Sequence, residues 1–95
     1  MSSETLHEAS TALSPATIDQ HRGIVSLMEE LEAVDWYAQR VDAATDAELK
    51  GILAHNRDEE KEHAAMVLEW IRRRDAVLSK ELKEYLFTTT PIAHE

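Results

Sequence analysis

Proline, the residue that interrupts an α-helix most strongly, occurs at only 2 of the 95 positions, Pro15 and Pro91. Nothing between those positions forbids a helix, since the 2 glycines only weaken one. Alanine, leucine and glutamate, all good helix formers, are frequent throughout. The sequence therefore predicts an all-α protein, and its length allows one small domain.

Capping signals divide this sequence into two long helices and a short third one. Ser14 and Pro15 mark a helix start, because a serine hydroxyl accepts a hydrogen bond from a free backbone amide and proline has no amide hydrogen to leave unsatisfied. Thr45-Asp-Ala-Glu48 is predicted to be a capping box that starts the second helix. Asp75 is predicted to cap a third helix ending near Phe87. Two long helices with so short a link must fold back as an antiparallel hairpin.

The predicted hairpin domain spans residues 14–87 and includes the short third helix. Residues 1–13 are rich in Ser, Thr, Glu and Ala without helical periodicity, which is typical of a flexible N-terminal arm. Residues 88–95 contain Pro91 and are predicted to be irregular.

Apolar residues lie on two sides of the predicted first helix. One stripe contains Ile24, Leu27, Leu31, Val34, Ala38 and Val41. The opposite side carries Val25, Met28 and Trp36. A lone hairpin leaves much of this surface in water, and a chain without cysteine has no disulfide to compensate. The pattern therefore predicts a second partner surface, which another copy of the chain would cover.

The formal net charge of -9 and the absence of long apolar runs exclude several functions. Such a charge repels nucleic acid and anionic membranes and favours cations. The first residues lack the basic and apolar regions of a signal peptide, and no apolar run approaches the ~20 residues of a membrane span. We expect a soluble protein of the cytoplasm without a nucleic-acid or membrane partner.

The second helix carries ionisable residues inside its apolar stripe. The stripe contains Leu49, Leu53, Ala64, Val67 and Ile71, and it also contains Asn56, Glu60 and His63. A carboxylate in such a stripe loses hydration and must be paired, neutralised or bound to a metal ion. Glu60 and His63 form a Glu-x-x-His motif, whose spacing lets both side chains hold one ion. Glu30 lies at the edge of the stripe on the facing helix.

These three residues are half of the ligand set of a di-iron carboxylate bundle. That set requires one Glu from each of two helices and a Glu-x-x-His motif from each of two others. A second copy related by a two-fold axis would supply the missing half. Carboxylate oxygens with imidazole suit Fe(II) or Mn(II), and the lack of thiolates argues against a structural zinc site.

Four stretches of the sequence resemble the encapsulated ferritin family. They are residues 28–37 (MEELEAVDWY), 55–66 (HNRDEEKEHAAM), 68–70 (LEW) and 85–88 (YLFT). The resemblance covers the chain from about His21 to Ile92. It implies a ferroxidase that dimerises to complete its di-iron site, assembles into a ring of dimers taken to be a decamer, and is housed inside an encapsulin shell where the iron mineral is stored. Family members carry a shell-targeting tail, and residues 88–95 do not resemble one.

The resemblance also assigns roles to individual residues. It implies that the iron ligands of the catalytic centre are Glu30, Glu60 and His63. Glu29 and Glu32 match an outer metal site on the route inward, which would hold Ca2+ or another divalent cation. Trp36 and Tyr37 match the aromatic residues beside the centre.

Several alternatives remain open at the level of the residues. The chain could be a structural helical-hairpin adaptor without redox activity, or a di-metal peroxidase or manganese catalase that uses peroxide. Glu29 and Glu32 are also consistent with a solvated acidic face. Trp36 and Tyr37 are also consistent with packing. The outer face of the second helix carries residues interpreted as solvent-exposed or interfacial, namely His55, Glu59 and Glu62.

Overall fold

The computed structural model describes residues 5–93, and over that range its regular elements are all helical. A 3-10 turn at Ser10–Ala12 precedes α1 (Pro15–Ala43), α2 (Ala47–Arg73) and α3 (Ala76–Tyr85). α1 packs along α2, and the shorter α3 contacts the end of α2. The predicted all-α hairpin with a short third helix is therefore confirmed. Residues 1–4 of the predicted arm, and positions 94–95 of the predicted irregular segment, lie outside the described residues.

The first two helices begin at side-chain caps, one of which differs from the prediction. The Ser14 hydroxyl accepts a hydrogen bond from the Thr17 amide at 3.1 Å, as the sequence indicated. The cap of α2 is Asp46, whose carboxylate accepts from the Leu49 amide at 2.8 Å. The predicted capping box at Thr45 was wrong by one residue, because α2 starts at Ala47 and aspartate caps a helix more strongly than threonine.

The third helix is also shorter than predicted. Asp75 caps it as expected, accepting from the Leu78 amide at 2.9 Å. The helix ends at Tyr85, not near Phe87. Leu86 has an extended backbone, and Phe87 has a φ of 59°, a left-handed conformation that a right-handed helix cannot contain.

An ion-pair network joins the end of α2 to α3. Arg72 donates two hydrogen bonds to Glu69, at 2.6 and 2.7 Å, and Arg73 donates a third at 2.7 Å. Arg72 also donates to the Ser79 hydroxyl on α3 at 2.9 Å. The two guanidinium groups hold the pKa of Glu69 at about 2. This network orients the start of α3 against the last turn of α2.

Gly23 lets α1 and α2 approach each other closely. A Cβ at this position would lie 3.1 and 3.3 Å from two ring carbons of Trp70, and 3.4 Å from Ile71. The Arg74 guanidinium covers the Trp70 ring, 4.1 Å from its centroid. Gly23, which the sequence suggested only as a weak point of the helix, therefore makes room for the largest side chain between the two helices.

The hairpin by itself buries little apolar surface. Within residues 5–93 only Ala64 and Ile71 are buried. Of the predicted stripe on α1, Leu31 is 55% exposed and Ile24 is 42% exposed. Other exposed large apolar side chains of α1 and α2 are Met28, Trp36, Leu49, Ile52 and Met66.

The length and apolar character of the described helices bear on membrane insertion. None of those in residues 5–93 combines the length and the apolar character that crossing a bilayer requires.

The two glycines give a matched prediction about helix packing. A Cβ at Gly51 would find no atom within 4 Å, so Gly51→Ala should raise the free energy of unfolding by about 0.5–1 kcal/mol, the usual cost of glycine inside a helix. Gly23→Ala should lose that gain because the Trp70 ring must shift. Urea denaturation at equal protein concentration measures both. An equal stabilisation by Gly23→Ala would contradict the close approach.

The ion-pair network gives a prediction about acid stability. The pKa of Glu69 is lowered from its ordinary value of 4.5 to about 2, so its contribution to stability is present above pH 4.5 and is lost as the pH falls towards 2. Glu69→Gln should therefore be less stable than the wild type at pH 6, and the difference should shrink between pH 4.5 and 2. Thermal unfolding across this range measures it, with Glu62→Gln as the control. A difference that does not vary with pH would contradict the assignment.

Candidate metal centre

The hairpin brings three possible metal ligands from its two long helices together. Glu60 and His63 lie three residues apart on α2, so both project from the same face of that helix. Glu30 lies in the middle of α1, directly across from them. One oxygen or nitrogen atom from each of the three side chains lies within 4.8 Å of the other two. The three candidate ligands predicted from the sequence, half of the proposed set, are therefore brought together within a single chain.

The imidazole of His63 lies between the two carboxylates. Its Nδ1 is 3.6 Å from Oε2 of Glu30 and 3.5 Å from Oε2 of Glu60. The Glu30 and Glu60 side chains are 25% and 24% exposed, and His63 is 42% exposed. The three groups therefore form a partly buried cluster of possible metal ligands.

The Glu60 carboxylate perturbs the neighbouring carboxylate of Glu30. A hydrogen bond to Glu60 raises the pKa of Glu30 above its ordinary value, and burial and the charge of Glu60 raise it further. His63 lowers that pKa without cancelling the increase. Two close carboxylates repel each other when both are ionised. A proton can relieve this repulsion, and so can a divalent cation.

The donor set fits iron or manganese better than zinc. Two carboxylates and one imidazole are hard to intermediate ligands of the kind that non-haem Fe(II) and Mn(II) prefer, whereas structural zinc sites are closed by four ligands that usually include cysteine. Three ligands from one chain also leave several coordination positions open. The arrangement matches half of a di-iron carboxylate bundle, in which two hairpins face each other.

The other predicted site residues lie outside this cluster. Glu29 and Glu32 are exposed, and within residues 5–93 they belong to no group of three possible metal ligands. Trp36 is 50% exposed. Tyr37 is half-buried, with the Arg40 guanidinium 5.3 Å from its ring centroid.

The sequence was not interpreted to place Glu59 in contact with His63. Glu59 lies on the outer face of α2, where it was interpreted as a solvent-exposed or interfacial residue, yet its Oε2 is 3.9 Å from Nε2 of His63. Its Oε1 is 3.4 Å from Nε2 of His55. The spacing of four residues between Glu59 and His63 was the available signal, because side chains four apart are neighbours on a helix.

Comparison with known proteins relates the chain to one family. The profile of the EncFtn-like family matches residues 5–89. The crystal structure of a protein from Nitrosomonas europaea superimposes with a TM-score of 0.91 at 67% sequence identity, and the match covers 94% of this chain and 98% of that one.

Two curated relatives carry functional names. The encapsulated ferritin-like protein of Rhodospirillum rubrum is 65% identical over 91 residues, which are 96% of this chain and 65% of that protein. An encapsulin nanocompartment cargo protein of Myxococcus xanthus is 37% identical over 75 residues, 75% of this chain and 58% of that protein. The chain thus spans less than two thirds of the length of both relatives.

Proposed function

Because the chain belongs to the encapsulated ferritin (EncFtn-like) family, we propose that it is a ferroxidase, which oxidises Fe(II) to Fe(III) with O2 at a di-iron centre shared by two copies. The observation that carries the proposal is the cluster of Glu30, Glu60 and His63. These residues have the identities, the helical spacing and the facing arrangement of one half of such a centre.

Two independent features support a shared centre. One chain supplies three ligands, whereas two chains related by a two-fold axis supply four carboxylates and two imidazoles, enough for two iron ions. The same hairpin buries only Ala64 and Ile71 among residues 5–93 and leaves Leu31 and Ile52 more than half exposed. Pairing two hairpins would complete the ligand set and cover apolar surface in one step.

Iron is the substrate of this reaction, and the three side chains hold it. The carboxylates of Glu30 and Glu60 offset the charge of the bound cations, and they favour Fe(III) over Fe(II) because their attraction grows with the charge of the ion. Two Fe(II) ions give one electron each to an O2 molecule, which takes up two protons and leaves as hydrogen peroxide. His63 supplies a neutral nitrogen ligand.

Residues around the cluster would guide iron towards it. Glu29 and Glu32 are exposed and three residues apart on α1, which suits a weak outer site for a divalent cation before it moves inward. Trp36 and Tyr37 follow on the same helix and would lie beside the completed centre. These four assignments come from the family resemblance, and the acidic side chains give the first two a physical basis.

The relatives suggest where the reaction takes place. Their names describe encapsulated and nanocompartment cargo proteins. We infer that this chain likewise acts in the cytoplasm inside an encapsulin shell, assembled as a ring of dimers, and that the shell stores the ferric product as mineral.

The proposal predicts fast iron oxidation that depends on Glu60. Aerobic Fe(II) oxidation, followed optically, should saturate near two irons per dimer. Glu60→Ala should reduce the rate to that of buffer, because the variant removes one carboxylate from each half of the centre. Glu62→Ala is the matched control, since it removes an exposed glutamate from the same helix outside the cluster.

Wild-type oxidation no faster than buffer would contradict the ferroxidase and favour a structural adaptor. An unchanged rate in Glu60→Ala would contradict the site. Faster turnover with H2O2 than with O2 would favour a peroxidase instead.

The shared centre predicts that metal strengthens the dimer. Sedimentation under anaerobic conditions should show tighter self-association in the presence of Fe(II) or Mn(II), because the metal ions bind ligands from both chains. His63→Ala should dimerise independently of metal. A wild-type association constant that does not respond to metal would contradict a centre formed between two copies.

A further inference from the structure

The two ring nitrogens of His63 face different carboxylates. Nδ1 faces Glu30 and Glu60, at 3.6 and 3.5 Å. Nε2 lies 3.9 Å from Oε2 of Glu59. Glu59 therefore lies on the Nε2 side of the ring, away from the candidate metal centre.

The Glu59 carboxylate is itself held at its second oxygen. Its Oε1 lies 3.4 Å from Nε2 of His55, one helical turn earlier. His55, Glu59 and His63 follow one another at intervals of four residues along α2, which makes each a neighbour of the next. Although Glu59 is 46% exposed, it lies between two imidazoles and does not project into solvent alone.

A metal ion bound by His63 through Nδ1 would give this arrangement a chemical role. Nδ1 must be unprotonated to bind a metal ion, so the proton of the neutral ring resides on Nε2. That N–H needs an acceptor, and a carboxylate in this position fixes the ring orientation and makes the imidazole a better ligand. The 3.9 Å separation is longer than a hydrogen bond, so this role requires the Glu59 carboxylate to move closer to Nε2.

We propose that Glu59 is a positioning residue, an inference that rests on the di-iron centre proposed above. Glu59 accepts a hydrogen bond from Nε2–H of His63 and so holds Nδ1 towards the metal ions. His55 in turn holds Glu59 in place. Glu59 touches no metal ion in this role and acts only through the imidazole.

The competing explanation for any effect of Glu59 is its charge, which attracts cations from any nearby position. Glu62 provides the matched test, because it is an exposed glutamate on α2, immediately before His63 in the chain, and outside the cluster. A positioning role depends on the acceptor oxygen. A charge effect depends only on the net charge.

The experiment measures Co(II) binding to the full chain without O2, so that no turnover is involved. Calorimetry gives the affinity, and proton NMR detects the paramagnetically shifted, exchangeable N–H of a Co(II)-bound imidazole. Glu59→Ala should weaken binding about tenfold, the lower end of the effect of such carboxylates because this one is partly exposed, and should abolish the N–H resonance by speeding its exchange with water. Glu59→Gln keeps an acceptor oxygen and should retain most of the affinity and the resonance. Glu62→Gln should change neither.

Two results would overturn the positioning role. One is a Glu59→Ala variant that keeps both the affinity and the N–H resonance. The other is an equal loss of affinity in Glu59→Ala, Glu59→Gln and Glu62→Gln, which would indicate charge alone.

Glu60→Ala separates this inference from the proposed centre. If the wild type binds no Co(II), or if Glu60→Ala binds it as well as the wild type, the metal centre itself is contradicted. If Glu60→Ala abolishes binding while Glu59→Ala leaves it unchanged, only the role of Glu59 is contradicted.

Discussion

The register between α1 and α2 is the constraint on which the rest of the structure depends. Gly23 lies against Trp70, and seven residues further along α1 Glu30 lies against His63, seven residues earlier on α2. Seven residues are about two helical turns, so both contacts lie on the same seam of the antiparallel pair. The space that Gly23 leaves for the indole ring and the position of Glu30 beside the imidazole are therefore two consequences of one alignment. A shift of this alignment would separate the ligands as well as the apolar contacts.

The same hairpin is incomplete in two respects. Its helices are long and amphipathic, yet only Ala64 and Ile71 among residues 5–93 are buried. Its ligand cluster is partly open, with Glu30 and Glu60 about a quarter exposed. Two helices cannot enclose a core or surround a metal ion, because each covers only one side of the other. A four-helix arrangement made from two copies would satisfy both needs, so the proposed dimer and the proposed metal centre would strengthen each other.

Charged residues have different roles in the middle of α2 and at its C-terminal end. Near its middle, the acidic residues Glu59 and Glu60 meet histidines and another carboxylate, a combination that attracts a cation. At its C-terminal end, Glu69 is neutralised by Arg72 and Arg73, which also complement the helix dipole, and Arg72 connects to α3. The first group leaves charge available for metal binding, whereas the second uses its charge to maintain the fold. Of these two groups, the one near the middle of α2 is therefore the one that can act on cations.

Local chemistry in the sequence predicted the helical class, the start of the first helix and the three candidate metal ligands. The lack of prolines between Pro15 and position 91 allowed long helices, and Glu60 with His63 in an apolar stripe called for a partner such as a metal ion. Other features depended on the tertiary structure. Whether Thr45 or Asp46 caps α2 depends on the conformation of the turn between α1 and α2. The role of Gly23 appears only when Trp70 packs against it. The contact between Glu59 and His63 is local to α2. Its proposed role depends on Glu30, which lies on α1 and faces the other ring nitrogen of His63. Propensities and spacings act over a few residues, whereas the relative alignment of two helices is decided by packing between residues distant in the chain.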